Sequence, residues 1–298
     1  MRRRAIRRDA HAKLNVFLRV LGRRVDGYHD LESLILPISL ADRVTARPAD
    51  ALRVSSKGAE RLVGKVQGGG LNLALVAALS LADRCEGAGG ADVQIDKRIP
   101  VAAGLGGGSA DAAATISALD ELWGCGLGPG GLADVGGRVG SDVPAMLAGV
   151  PVLMRGRGEV IEPASVEELW WVLVTFDFGV RSPDAYRWWD HDRASSGPDP
   201  GPILEASAKG DTELLGPLLF NDLEAPVFAR HPEIAEGKAK LLDVGALGAV
   251  MSGSGSSVAG LARDEAHAGS LAKAFRGALV VSGPPEEPGS AGTGLGRG

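Results

Sequence analysis

The chain has 298 residues, 45% of them hydrophobic and 23% charged, with a formal net charge of −5. At roughly 150 residues per domain this is enough chain for two domains, and enough apolar material to exclude wholesale disorder. The acidic balance argues against a broad nucleic-acid surface, and no apolar run approaches the ~18 residues of a membrane-spanning helix.

Five arginines (Arg2, Arg3, Arg4, Arg7 and Arg8) crowd the first residues. No apolar stretch follows them, so they read as a solvated tail and not as a secretory signal. Next, Leu14, Val16, Leu18 and Val20 alternate with Lys13, Asn15, Phe17 and Arg19. That period predicts a strand with one buried face and puts Lys13 and Asn15 on the opposite one. A polar turn at 22–27 precedes an extended run at 31–40, and 44–46 and 52–54 read as short strands. Asn72 is placed to cap a Leu/Ala-rich helix that runs to Arg84. Residues 92–96 alternate as a strand, 100–108 form a loop, and an alanine-rich helix runs from Ser109 to Trp123. A short helix at 131–139 and a strand at 150–154 close the first half.

The second half has its own apolar runs. Strands are expected at 169–176, 247–251 and 258–261, and helices at 204–208, 212–219, 232–243 and 264–275. Strands and helices in two blocks, without regular alternation or a solenoid period, indicate an α+β protein. The expected division is 1–154 and 155–282, with 283–298 a Gly/Pro/Ser-rich tail lacking fixed structure. Cys85 and Cys125 form no CxxC and no metal-ligand spacing, which reads as two reduced thiols in a cytoplasmic protein.

Glycine is the unusual component, at 44 residues, about twice ordinary usage. Four glycines fall at Gly104, Gly106, Gly107 and Gly108, between a strand and a helix that starts at Ser109. Free amides and the positive end of the helix dipole make such a junction a site for phosphate. A P-loop requires a lysine after the last glycine and has none here; the dinucleotide fingerprint requires glycine where Ser109 stands.

The run Pro100 to Ser109, with Ala103, Gly104, Leu105 and the glycine triplet, resembles the phosphate loop of the GHMP kinase superfamily. The opening Ala12–His29 segment, Gly140-Ser-Asp142-Val-Pro144, Asn221-Asp-Leu-Glu224 and Ser252-Gly-Ser-Gly-Ser-Ser257 resemble further motifs of one branch of it, in the same order. That branch phosphorylates 4-diphosphocytidyl-2-C-methyl-D-erythritol, in the non-mevalonate route to isoprenoids. The resemblance runs from about Ala12 to Leu261. It implies a two-domain fold, with an N-terminal domain like the second domain of ribosomal protein S5 and a ferredoxin-like C-terminal domain.

It also implies roles. Asp142 would take the proton from the substrate hydroxyl, and Lys13 would keep Asp142 ionised and stabilise developing charge. Pro100, Ala103, Gly104, Leu105, Gly106, Gly107, Gly108, Ser109 and Ala110 would hold ATP, with Mg2+ bound mainly through the ATP phosphates and no protein metal centre. Asn15, Tyr28, His29, Gly253, Ser254 and Gly255 would hold the substrate, Tyr28 and His29 at its cytosine, with Tyr186 on the other face of the base. The family loop commonly reads Gly-Gly-Gly-Ser-Ser-Asn, whereas this chain has Ala110 and Asp111 in the last two places. The implied partners are one small-molecule substrate and ATP, with no nucleic acid and no membrane, in a monomer or weak homodimer. Two alternatives remain open on the residues: a homoserine- or mevalonate-type kinase, for which the Tyr28-His29 pair has no purpose, and a non-catalytic nucleotide-binding protein.

Overall fold

The computed structural model describes residues 5–58, 72–192 and 197–285. Two long strands dominate the first sheet: β1 (Ile6–Arg23) and β2 (His29–Pro48), paired antiparallel. The sheet order is β3 (Arg53–Lys57), β4 (Ala91–Asp96), β2, β1 and β8 (Phe220–Asn221), with β5 (Val152–Gly156) and β6 (Val160–Pro163) added alongside β2. The second sheet is antiparallel throughout, in the order β11 (Leu279–Gly283), β7 (Leu169–Val174), β10 (Val258–Ala262), β9 (Gly248–Met251).

The helices of the first half are α1 (Leu73–Ala82), α2 (Gly107–Trp123), α3 (Gly128–Val139) and α4 (Val143–Ala148). In the second half they are α5 (Ser182–Asp192), α6 (Gly201–Lys209), α7 (Thr212–Leu215), α8 (Glu224–Phe228), α9 (Pro232–Asp243) and α10 (Glu265–Ala272). Three apolar layers hold these parts together. One side of the first sheet, through Val44, Ala46, Val93 and Ile95, packs on α1 and α2. The alanines of α2, among them Ala110, Ala112 and Ala118, let the helix lie close on the sheet. Leu14, Val16, Leu36 and Ile38 meet Trp171, Leu173, Val250 and Leu261 of the second sheet, so the two sheets share a core. The far side of the second sheet is covered by α5, α8, α9 and α10, through Trp189, Val227, Ile234 and Leu271.

Several expectations are met. Asn72 caps α1, its side chain accepting from Ala74 N at 3.0 Å. The helix expected at 232–243 is α9, and α2 begins two residues earlier than expected, at Gly107.

Others are corrected. Both faces of β1 are buried at its centre: the second sheet covers Leu14 and Val16, while the phosphate loop, Ser33 and Gly253 enclose Lys13 and Asn15. Arg7 and Arg8 lie inside β1, and Arg8 reaches Ser117 at 3.1 Å and Glu121, so these two are not tail residues; Arg2 to Arg4 lie outside the described residues. Strand 44–46 is the end of β2 and not a separate element. Gly283 ends β11, and 286–298 lie outside the described residues. We propose a boundary between Pro163 and Leu169, because the residue 154/155 division falls within β5 and β6 still belongs to the first sheet.

The reading of two reduced thiols is also overturned. Cys85 and Cys125 form a disulfide with Cα atoms 5.2 Å apart. α1 and α2 lie side by side, and Cys85 and Cys125 follow their respective C-termini. The pairing is tertiary and leaves no local spacing in the sequence.

Candidate active site

β-bulges interrupt the β1–β2 register between His11 and Lys13 and again between Asn15 and Phe17. Such irregularities re-aim side chains, and the segment between them carries Lys13 and Asn15 into a cavity of about 1240 Å³. Lys13 Nζ donates to the Gly104 carbonyl at 2.7 Å and to Asn15 Oδ1. Asn15 Nδ2 in turn donates to Ser33 Oγ at 2.7 Å, which donates to the Phe17 carbonyl at 2.7 Å. The lysine is thus held by a chain of buried donors and acceptors, and an ammonium has three N–H groups. Burial lowers its pKa below the ordinary lysine value, while the charge of Asp142 works in the opposite direction.

Asp142 stands at the N-cap position of α4, yet its side chain makes no capping hydrogen bond. The carboxylate is therefore not used by the helix that presents it. Burial, followed by the Asp142 charge, also pushes the phenol of Tyr186 above its usual pKa, which puts that ring within electrostatic reach of Asp142.

The glycine loop lies directly against Lys13, whose backbone amide donates to the Leu105 carbonyl at 3.0 Å. Gly106, at the N-cap of α2, has φ +68° and no side-chain cap, so the first amides of a 17-residue helix have no side-chain partner there. A Cβ on Gly106 would lie 2.9 Å from Lys13 Cγ, and one on Gly107 3.0 Å from Ile99 Cγ2. Gly106 requires glycine by its positive φ and by Lys13, whereas at Gly107 a Cβ would press on the Ile99 side chain. The second glycine turn locks onto the first: Ser252 Oγ donates to the Gly104 carbonyl at 2.9 Å, and Ser257 N to the Ala103 carbonyl at 3.0 Å. Asn221 Nδ2 donates to the Met251 and Gly253 carbonyls, both at 2.7 Å, and so fixes that turn.

At the other end, Gly27 (φ +86°) shapes the β1–β2 turn, and Tyr28 projects from it with half its surface exposed. The guanidinium of Arg157, on the β5–β6 turn, lies 5.4 Å from the centre of the Tyr28 ring. His29 is buried, with Nε2 2.8 Å from Asp190 Oδ1 of α5 and its ring stacked on Tyr186 at 4.9 Å and 23°.

The cavity collects most of the residues read from the sequence. Lys13, Asn15, Tyr28, His29, Asp142 and Tyr186 all line it, as do Pro100, Ala103 to Ser109, Gly253 and Ser254. Ala110 and Gly255 do not: Ala110 is buried in the α1–α2 core, and Gly255 turns toward Met251 and Ile234. Lining residues not read from the sequence include Lys97, Asp111, Arg157 and Asp190. Their positions depend on α5, the β5–β6 turn and the underside of the phosphate loop, which no local motif announces. Among the described residues no group of three or more His, Cys, Asp or Glu could hold a metal ion, and no helix is long and apolar enough to cross a membrane.

A glycine cradle at a helix N-terminus, facing a buried lysine and an uncommitted aspartate between two packed α+β units, defines a small-molecule kinase of the GHMP type. Residues 72–150 match the family model of the GHMP kinases N terminal domain, and 203–280 that of GHMP kinases C terminal. The chain is 42% identical over 274 residues to the 4-diphosphocytidyl-2-C-methyl-D-erythritol kinase of Symbiobacterium thermophilum, covering 90% of this chain and 94% of that protein. It is also 42% identical over 270 residues to the protein of the same name from Pelotomaculum thermopropionicum, covering 90% and 92%. A crystal structure of 4-(cytidine 5'-diphospho)-2C-methyl-D-erythritol kinase superposes with a TM-score of 0.78 at 34% identity, over 94% of this chain and 100% of that one. The chain belongs to the family of 4-diphosphocytidyl-2-C-methyl-D-erythritol kinases.

Proposed function

We propose that this chain transfers the γ-phosphoryl group of ATP to the 2-hydroxyl of 4-diphosphocytidyl-2-C-methyl-D-erythritol, giving the 2-phosphate and ADP, in the non-mevalonate isoprenoid pathway. The observation that carries this reading is a single cavity with the glycine cradle and Lys13 on one side and the Tyr28, His29 and Tyr186 rings on the other. One end suits a triphosphate; the other suits a flat, hydrogen-bonding base.

In this reading the α2 amides and Gly104–Ser109 hold the ATP phosphates, and Asn15, Gly253 and Ser254 hold the methylerythritol end of the substrate. The Asp142 carboxylate accepts the proton of the 2-hydroxyl as its oxygen attacks the γ-phosphorus in line, and the bond to ADP breaks. The Lys13 ammonium stabilises the charge that builds on the transferring group. Tyr28 and Tyr186 stack on cytosine, and His29, oriented by Asp190, meets the edge of the base. The cradle also fits magnesium brought in with the nucleotide: triphosphate oxygens and water supply its ligands, consistent with its reluctance to shed water. Magnesium held that way would neutralise phosphate charge. The enzyme acts as a monomer or weak homodimer.

The test is ADP release by purified protein with Mg-ATP and a panel of alcohols. Turnover is expected with the cytidyl substrate and not with mevalonate or homoserine; the reverse pattern would overturn the specificity.

A further inference from the structure

Beneath the phosphate loop lies a group of charges that the reaction does not use. Lys97, just after β4, donates through Nζ to Asp111 Oδ2 of α2 at 2.7 Å and also to Asp42 of β2. All three side chains are at least nine-tenths buried. Asp42 is fully committed: its other oxygen accepts from the backbone amides of Arg98 and of Ile99, the latter at 2.8 Å. Asp111 is not, because its Oδ1 is buried without a hydrogen-bond partner among the described residues. Lys97 and Asp111 both line the cavity, and a Cβ on Gly107 would stand 3.6 Å from Lys97 Nζ. The group therefore sits directly behind the amides that face the nucleotide.

One ammonium between two carboxylates leaves a negative charge uncompensated, at the place where the kinase reading above puts a triphosphate. A buried anionic oxygen with no donor is costly, and a second anion nearby makes it costlier. We infer that Asp111 is a positioning residue that takes up a proton when nucleotide phosphate enters the loop, so that Lys97, Asp42 and a neutral Asp111 hold the loop against α2 without repelling the ligand. The proton comes from solvent and adds to a carboxylate oxygen, giving the carboxylic acid; no other bond changes.

The surroundings agree. Among the described residues, Lys97 and Asp42 are the charged groups that act on Asp111. α1 carries no charged side chain, Asp96 of β4 is paired with Lys57 at 2.9 Å, and Lys13 lies against Gly106 of the loop. Burial raises the Asp111 pKa to about 7, with Lys97 opposing and Asp42 reinforcing the shift. The unpartnered oxygen and the second carboxylate of Asp42 both favour the neutral acid, and the field of an incoming phosphate acts in the same direction.

The experiment is calorimetric titration of the full chain with Mg-ADP in two buffers of different ionisation enthalpy, for the wild type and Asp111→Asn. The nucleotide's own protonation is common to both proteins. The wild type is expected to take up roughly half a proton more than the variant at pH 7.5, and no more than the variant at pH 5.5. Between pH 6 and 9 its affinity for Mg-ADP falls up to about tenfold more than that of Asp111→Asn. Equal uptake and parallel affinity curves would overturn the inference while leaving the kinase reading intact; no nucleotide binding by the wild type would overturn both. Infrared difference spectra of Mg-ADP binding to the wild type need no variant. A new carboxylic-acid band supports the inference, and its absence refutes it.

Discussion

Replacing Gly104 with alanine tests whether the two glycine turns are one locked unit. Gly104 has φ +76°, and a Cβ there would lie 2.0 Å from the Ser252 carbonyl oxygen and 3.0 Å from that of Gly255. Both neighbours are backbone, so the turns must separate by on the order of 1 Å to reach ordinary contact. The left-handed conformation alone costs an L-residue about 1–2 kcal/mol. Separation also weakens the bonds to the Gly104 carbonyl from Lys13 Nζ (2.7 Å) and Ser252 Oγ (2.9 Å). The first is worth about 1.5–3 kcal/mol because its donor is charged, and the second about 1 kcal/mol. The expected loss is therefore about 4–6 kcal/mol. Gly124→Ala is the control: Gly124 has φ +73° with nothing within 4 Å of its Cβ position, so it bears only the conformational cost. Thermal unfolding of the two variants should differ by roughly 10 °C, at about 2–4 °C per kcal/mol. Turnover should fall in Gly104→Ala alone, since Lys13 loses its fixed acceptor. Equal melting temperatures with wild-type turnover would refute the locked-turn argument.

Three further predictions follow from the same geometry. The proposed mechanism needs Lys13 as an ammonium, and burial lowers its pKa; kcat should therefore fall as pH rises through a value below that of an exposed lysine, and Lys13→Met should lose at least about a hundredfold in kcat. An alkaline limb at the ordinary lysine value would contradict the burial argument. Tyr28→Ala removes one stacking ring and should raise KM for the cytidyl substrate roughly tenfold while leaving KM for ATP unchanged, as steady-state kinetics with each substrate varied will show. The disulfide spans a sequence separation of 40 residues, which by chain entropy is worth about 4 kcal/mol. Reductant, or Cys85→Ser, should lower the melting temperature measurably; an unchanged value with and without reductant would mean that the bond contributes nothing in solution.

Much of the phosphate-binding half was legible in the sequence, because its signals are local. The Asn72 cap, the alanine-rich α2 and the glycine run each carry their own backbone requirement. Lys13 and Asn15 were correctly placed on one face of a strand, but their burial was not, because the cover comes from Gly104 and Gly106 of the phosphate loop and from Gly253, more than two hundred residues away. α5 escaped a separate prediction. Its sequence combines Pro183, Tyr186, Trp188 and several charges without a continuous apolar stripe, and its burial rests on Ala185 and Trp189. β8 and β11 are short and exist by pairing with distant strands, and the four-residue β6 is held by its hairpin with β5. The disulfide and the Asp42–Lys97–Asp111 group were invisible for the same reason: each joins residues from separate elements.

The central claim is that Asp142 accepts the proton of the substrate hydroxyl in a cavity that binds ATP independently of that role. The most direct measurement is kcat of Asp142→Asn with 4-diphosphocytidyl-2-C-methyl-D-erythritol, alongside its affinity for Mg-ATP. A fall in kcat of about a hundredfold or more with near-unchanged nucleotide affinity is predicted; near-normal turnover in that variant would remove Asp142 as the base.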